Sequence, residues 1–234
     1  MTIADNLGRL HERIAAAAKR ARRPAEEIAL MAVCKTNPAE RIREAYAAGH
    51  CLFGENRVQE FAGRWEALRD LTQASWHMIG HLQSNKAARA AELFSAVDSV
   101  DSLRLAERLN AAAGQQGKSL EVLLELNLGG EESKSGLAVG SEEMESLLHS
   151  AERLEYLRYR GLMTVPPFTP DAEGARPYFR RLRELRDEIA ARKLPRVECE
   201  VLSMGMSHDF EIAIEEGSTC VRIGTAIFGE RPKP

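Results

Sequence analysis

Residues 28–54 read IALMAVCKTNPAERIREAYAAGHCLFG and contain the repeating unit that decides the fold. An apolar run at 28–34, typical of a buried strand, is followed by a helical segment over 39–48 and a second apolar run at 51–54. Asn37 and Pro38 precede the helical segment and Gly49 follows it, as helix start and stop residues usually do. The stretch therefore predicts a strand–helix–strand unit of the kind that builds parallel sheets.

The same alternation continues along the whole chain. We predict eight strands, at 28–34, 51–54, 75–79, 93–97, 120–126, 156–161, 198–202 and 220–223. The helical segments between them are predicted at 39–48, 58–70, 86–91, 102–113, 141–151, 172–193 and 209–215. Eight such units predict an α/β fold of the closed (β/α)8 TIM-barrel type, and an open doubly wound sheet is the alternative.

The N-terminal segment over 3–22 predicts an extra helix that has no strand before it. Too few residues follow the eighth predicted strand to form a full closing helix. We therefore expect the N-terminal helix to cover the barrel where the eighth helix would otherwise pack.

Composition excludes several classes of protein. The chain has 234 residues, 44% of them hydrophobic and 29% charged, with a formal net charge of −3. This predicts one globular domain over residues 1–234, with neither the basic excess of a nucleic-acid binder nor an apolar run that spans a membrane. The four cysteines form no Cys-x-x-Cys pair and no secretion signal is present, so we expect reduced thiols in the cytoplasm.

Barrels of this type carry their functional residues at the carboxyl ends of the strands. Lys35 directly follows the first apolar run, so its amine emerges at the end of a buried strand. A lysine in that position commonly extends to solvent, whereas a buried lysine has a depressed pKa and can form a Schiff base with an aldehyde. Both interpretations are open at Lys35.

Two loops near the chain's end carry the features of a phosphate site. The loop at 203–209 follows the seventh predicted strand, and Gly224 and Thr225 follow the eighth. Backbone N–H groups and hydroxyl groups in these loops of a barrel commonly bind phosphate, although Ser207 or Asp209 could equally cap the next helix. The sequence thus predicts a phosphate site beside a candidate Schiff-base lysine.

His77 and His81 have the spacing of a metal-binding pair on a helix. Residues 76–79 predict a strand, so the two imidazoles would not share a helix face, and we expect no metal site.

Five motifs follow one another along nearly the whole chain. They are VCKT at 33–36, FGEN at 53–56, WHMIGHLQSNK at 76–86, SMGMS at 203–207 and RIGTAIFG at 222–229. These motifs resemble those of the pyridoxal 5′-phosphate homeostasis protein family, whose fold is similar to the barrel domain of alanine racemase. The family usually has Ser before the lysine, where this chain has Cys34, a difference that we expect to affect only local hydrogen bonding.

The resemblance implies a site for pyridoxal 5′-phosphate (PLP) built around Lys35, which would hold the cofactor as an internal aldimine. Arg222 would face the pyridine nitrogen, and Asn56 and His77 would line the ring pocket. The residues that would bind the phosphate are Ser207, Gly224 and Thr225, with Ser203 and the backbone of Met206 nearby.

The resemblance also implies a function in vitamin B6 homeostasis and cofactor supply, with no established catalytic turnover and no catalytic residues. Because Arg can only donate, Arg222 would keep the pyridine nitrogen unprotonated and disfavour its use as an electron sink. We expect a cytoplasmic monomer, with apo PLP-dependent enzymes as possible recipients. The alternative is a cryptic amino-acid racemase, although racemases of similar fold take a second base from an additional β-domain, which we do not expect here.

Overall fold

A computed structural model of the chain describes residues 2–131 and 135–229. Its strands form one closed parallel barrel in chain order, and β1 pairs with β8 to close it, with Met31 opposite Arg222. The strands are β1 Ala29–Val33, β2 Leu52–Glu55, β3 Ser75–Met78, β4 Ala96–Val100, β5 Leu120–Leu126, β6 Leu157–Thr164, β7 Val197–Ser203 and β8 Cys220–Ile223. The prediction of a TIM barrel is therefore confirmed, and the open sheet is wrong.

Helices lie around the outside of the barrel, with an α-helix between each pair of successive strands, one before the first strand and one after the last. They are α1 Ile3–Arg20, α2 Ala39–Ala47, α3 Val58–Arg64, α4 Ala87–Leu93, α5 Leu103–Gln115, α6 Glu142–Ser150, α7 Arg176–Ala191, α8 Phe210–Glu215 and the short α9 Thr225–Phe228. None of the helices within the described ranges is both long and apolar enough to cross a membrane.

The fourth strand begins three residues later than predicted, at Ala96 rather than at Leu93. Leu93 is the last residue of α4, and the ring of Phe94 packs 5.0 Å from that of Phe61 on α3. Both side chains are buried, so they fill the layer between the helices and the barrel. The apolar run at 93–94 therefore belongs to this outer layer of the core and not to a strand.

Helix α1 covers the side of the barrel next to the last strand, where the sequence predicted that the extra N-terminal helix would pack. Thr2 and Asp5 form a capping box at its start, and its apolar face packs against α8 and α9. Arg20 donates to Glu215 on α8 at 2.7 Å, and the side-chain amide of Asn6 donates to the carbonyl of Ile227 at 2.9 Å. This packing compensates for the shortness of α9, which has only 4 residues.

Candidate functional site

A cavity of about 590 Å³ opens at the carboxyl ends of the strands, next to β1, β2 and β8. Most of the sequence-predicted site residues come together in its wall. These are Lys35, Asn56, Met206, Ser207, Arg222, Gly224 and Thr225.

The turn after β1 presents Lys35 to this cavity. Thr36 adopts a left-handed backbone conformation, with φ of 65°, which a residue other than glycine rarely takes. The carbonyl of Lys35 accepts from the Thr36 hydroxyl at 2.5 Å and from the Asn37 side-chain amide at 3.3 Å. Cys34 is buried, and its thiol lies 3.3 Å from the carbonyl oxygen of Ala32. The thiol is thus turned toward the backbone of its own strand.

Arg64 holds the same turn from outside the barrel. Its Nη1 donates to the carbonyl of Cys34 at 3.2 Å and to the carbonyl of Asn37. Its Nη2 donates to both carboxylate oxygens of Glu55, at 2.9 and 2.8 Å. Burial raises the pKa of Glu55 to about 7, although the Arg64 guanidinium acts to lower it. Arg64, paired with the buried Glu55, therefore hydrogen-bonds to the backbone on both sides of the turn that carries Lys35.

The loop after β7 is organised by Asp209. Its carboxylate accepts from the backbone N–H of Met206 at 2.7 Å and makes no side-chain cap to α8. The hydroxyl of Ser207 lies in the cavity wall, while the N–H of Met206 is already bonded within the loop. Ser207, rather than the Met206 backbone, is thus the donor that this loop offers to the cavity.

Arg222 lies at the base of the cavity, where only 4% of it is exposed. It donates from Nη1 to the hydroxyl of Ser203 at 2.7 Å and from Nη2 to the carbonyl of Thr164 at 2.8 Å. Burial lowers the pKa of Arg222, and the surrounding carboxylates, Asp98 among them, partly offset this. Ser203 is fully buried behind Arg222, so it contacts the cavity through Arg222.

The structure separates His77 from this cavity. Its ring lines a small space of about 40 Å³ in the barrel interior, and its Nδ1 lies 3.1 Å from the carboxylate of Asp98. Burial lowers the pKa of His77, but the charge of Asp98 and the hydrogen bond to it raise the pKa by more. His81 pairs instead with Asp101 at 3.0 Å, so the two imidazoles are held by different carboxylates.

Comparison with known proteins gives full-length matches. The family described as alanine racemase, N-terminal domain, matches residues 6–232. The pyridoxal phosphate homeostasis protein of Aquifex aeolicus is 46% identical over 231 residues, which are 99% of each chain. The protein of the same name from Escherichia coli K12 is 44% identical and covers 98% of this chain and 97% of its own.

The chain belongs to the pyridoxal phosphate homeostasis protein family.

A solved structure of a relative supports the same grouping. PipY of Synechococcus elongatus, with PLP bound, superposes with a TM-score of 0.84 at 38% identity, over 97% of this chain and 100% of its own. Alanine racemase from Streptomyces coelicolor superposes with a TM-score of 0.69 at 23% identity and shares the fold. That superposition covers 97% of this chain and 60% of the racemase.

Sequence reasoning did not identify two residues of this family member's site. Arg41 on α2 lines the cavity and donates to the carbonyl of Phe228 at 3.1 Å. Arg64 supports the Lys35 turn, as described above. The predicted helices contain many arginines, so neither residue stood out in the sequence. The one distinguishing signal was that Arg41 lies one turn after Pro38.

In residues 2–131 and 135–229, no three acidic, thiol or imidazole side chains lie close enough together to hold a metal ion. All four cysteines are free thiols.

Proposed function

We propose that this protein binds PLP in the cavity at the carboxyl ends of the strands and holds it covalently through Lys35. The observation that carries the proposal is the position of Lys35, half-buried in the wall of a 590 Å³ cavity with Ser207, Gly224 and Thr225. PLP supplies an aldehyde that reacts with amines and, in enzymes, an electron sink. The relative PipY has PLP bound, which supports PLP as the ligand of this protein as well.

The cavity residues fit the chemical groups of PLP. The hydroxyl of Ser207 and the start of α9 at Thr225 provide donors for a phosphate, and the guanidinium of Arg41, which is paired with Glu44 at 2.9 Å, lies in the same wall. A Cβ at Gly224 would lie 3.3 Å from the carbonyl oxygen of Val33, so glycine keeps β8 close to the end of β1. Asn56 Oδ1 is buried with no hydrogen-bond partner among the described residues, and it can accept from a ring hydroxyl.

Arg222 orients the ring as a hydrogen-bond donor and stays protonated itself. A guanidinium has five N–H donors, so Arg222 can keep Ser203 and Thr164 and still donate to an acceptor in the cavity. It cannot take up a proton, and a ring nitrogen that faces it therefore remains an acceptor. His77 was predicted from the resemblance to line the ring pocket. In the structure it lies outside the Lys35 cavity and is bonded to Asp98, whose charge acts on Arg222.

The proposed role is storage and supply of PLP, without catalytic turnover, by one domain over residues 1–234. Apo PLP-dependent enzymes are the proposed recipients, and the protein is proposed to act as a monomer in the cytoplasm. Free thiols at all four cysteines fit a reducing compartment. The names of the relatives, which refer to homeostasis and not to a reaction, support the absence of turnover.

The covalent link is tested by borohydride reduction of the protein loaded with PLP, followed by peptide mass mapping. We expect the adduct on the peptide that contains Lys35, and no adduct with K35A. The matched control is K118A, because Lys118 is also partly buried but donates to the carbonyl of Phe94, away from the cavity. An adduct that survives in K35A would contradict the assignment.

The supply role is tested with an apo-enzyme as acceptor. The loaded protein should restore the activity of the acceptor, while the α-hydrogen of common amino acids should not exchange in deuterated water beyond the rate with free PLP. Steady turnover of an amino acid that K35A abolishes would favour the racemase instead.

A further inference from the structure

The turn after β1 is a β-turn from Cys34 to Asn37, with Lys35 and Thr36 at its two central positions. The backbone N–H of Asn37 donates to the carbonyl of Cys34 at 3.0 Å and closes the turn. Thr36, the second central residue, has φ of 65°, a value for which turns usually use Gly or Asn. A strained residue of this kind persists only where the surrounding structure holds it, so the shape of this turn depends on contacts from outside it.

Arg64 on α3 provides such contacts. Its Nη1 donates to the carbonyls of the first and the last residue of the turn, Cys34 and Asn37. The two carbonyls lie on either side of Lys35 and Thr36 along the chain. One guanidinium nitrogen thus fixes both ends of the turn that carries Lys35.

Glu55 fixes the direction of that guanidinium. Both of its carboxylate oxygens accept from Nη2 of Arg64, and the carboxylate is fully buried. A guanidinium is planar and rigid, so an Nη2 held by Glu55 also determines where Nη1 points. Glu55 is the last residue of β2, directly after Gly54, which is in register with Val33 at the end of β1. The turn is therefore bonded through Arg64 to the frame of the barrel.

Arg64 lies outside the wall of the Lys35 cavity, so it can act on a ligand there only through the position of Lys35. Attachment of PLP requires the unprotonated amine of Lys35 to reach the aldehyde carbon. A C=N bond then forms, and the aldehyde oxygen leaves as water. Such a step is sensitive to a displacement of the amine by about 1 Å, which can slow a reaction about 100-fold. Binding of the phosphate at Ser207 and Thr225 does not depend on the amine.

We infer that Arg64, oriented by Glu55, is a positioning residue for the covalent attachment of PLP, because it holds the turn that places the amine of Lys35. The inference rests on the proposed function. It adds that attachment of the aldehyde and binding of the phosphate depend on different residues of the protein.

The test uses two ligands on the full-length protein. PLP reports binding and attachment together, while 4-deoxypyridoxine 5′-phosphate has a methyl group in place of the aldehyde and reports binding alone. In R64M, the rate of attachment, followed as the absorbance change of PLP, should fall about tenfold or more. The affinity for the deoxy analogue, measured by calorimetry, should stay at that of the wild type. A purely structural role of Arg64 would weaken both ligands together.

The matched control is R43M. Arg43 also donates to a backbone carbonyl, that of Ala67, and to both carboxylate oxygens of an acid, Asp70. These contacts join α2 to the segment after α3 and do not involve the Lys35 turn. R43M should therefore match the wild type with both ligands.

The double variant E55Q/R64M covers the case in which R64M does not fold. It removes the donor to the two carbonyls without leaving a buried carboxylate unpaired, so it should fold and show the same selective loss of attachment rate. Attachment at the wild-type rate in the folded double variant, or an equal loss for both ligands, would overturn the inference while the proposed function stands. Failure of the wild type to attach PLP would overturn the proposed function as well, so the wild type distinguishes the two failures.

Discussion

Nη2 of Arg64 donates to both carboxylate oxygens of Glu55, at 2.9 and 2.8 Å, while its Nη1 donates to the carbonyls on either side of Lys35 and Thr36. The carboxylate is fully buried and the arginine side chain is 17% exposed. This buried pair thus connects the end of β2 and helix α3 to the turn that presents Lys35.

The first prediction concerns the loss of this pair. R64M leaves the Glu55 carboxylate buried without its cation and releases two backbone carbonyls, so we expect a loss of about 3–5 kcal/mol in unfolding free energy. The matched control is R57M, which removes an arginine that is 75% exposed and pairs with Glu60 at the surface. We expect R57M to cost less than about 1 kcal/mol. Urea unfolding measures both, and equal losses would mean that the buried pair has no special role.

The second prediction concerns the pH dependence that Glu55 causes. Burial raises the pKa of Glu55 in the folded protein to about 7, from an ordinary value of 4.5. The folded state then holds a proton that the unfolded state has released, so the stability from this group falls as the pH rises between these two values. Unfolding free energies measured across that range should decline more steeply for the wild type than for E55Q. Parallel curves would contradict the raised pKa.

The third prediction concerns the phosphate. A hydrogen bond to a charged group contributes about 1.5–3 kcal/mol, so S207A should weaken PLP binding about tenfold or more. The wild type should also bind pyridoxal, which has no phosphate, much more weakly than PLP. The control is S141A, which removes the N-cap of α6 and should lower stability by about 1 kcal/mol with PLP affinity unchanged. Equal affinity of the wild type for PLP and pyridoxal would reject the phosphate site.

The fourth prediction uses two glycines in opposite surroundings. A Cβ at Gly80 would lie 2.4 Å from the carbonyl oxygen of Asn56, so G80A must displace the backbone of that residue. We expect a loss of about 1–3 kcal/mol in stability and weaker PLP binding. Gly8 is exposed on α1 with open space around its Cβ position, and G8A should stabilise by about 0.5–1 kcal/mol. Thermal unfolding that ranks the two variants in the reverse order would contradict this account.

The sequence predicted the barrel because apolar strands and amphipathic helices alternate locally, and this pattern does not depend on distant contacts. The place of Lys35 at the mouth of the barrel could be predicted for the same reason, since it follows the apolar run at 28–34 directly. The pairing of Glu55 with Arg64 was not, because it requires that α3 folds back beside the turn after β1. The separation of His77 from the Lys35 cavity likewise depends on how deep in the barrel each strand residue lies, which the strand pattern leaves open.

The last prediction concerns Arg222, for which we propose a position opposite the ring nitrogen of bound PLP. R222E places an acid opposite that nitrogen, and we expect it to increase exchange of the α-hydrogen of bound amino acids in deuterated water. R222Q removes the same positive charge but cannot share a proton, so its exchange rate should stay at that of the wild type. Because Arg222 is buried near Asp98, R222E can also destabilise the fold, and circular dichroism must show a folded protein first. R222Q is informative whether or not R222E folds. If the exchange rate rises in R222Q, the loss of positive charge alone, and not a shared proton, controls the reactivity.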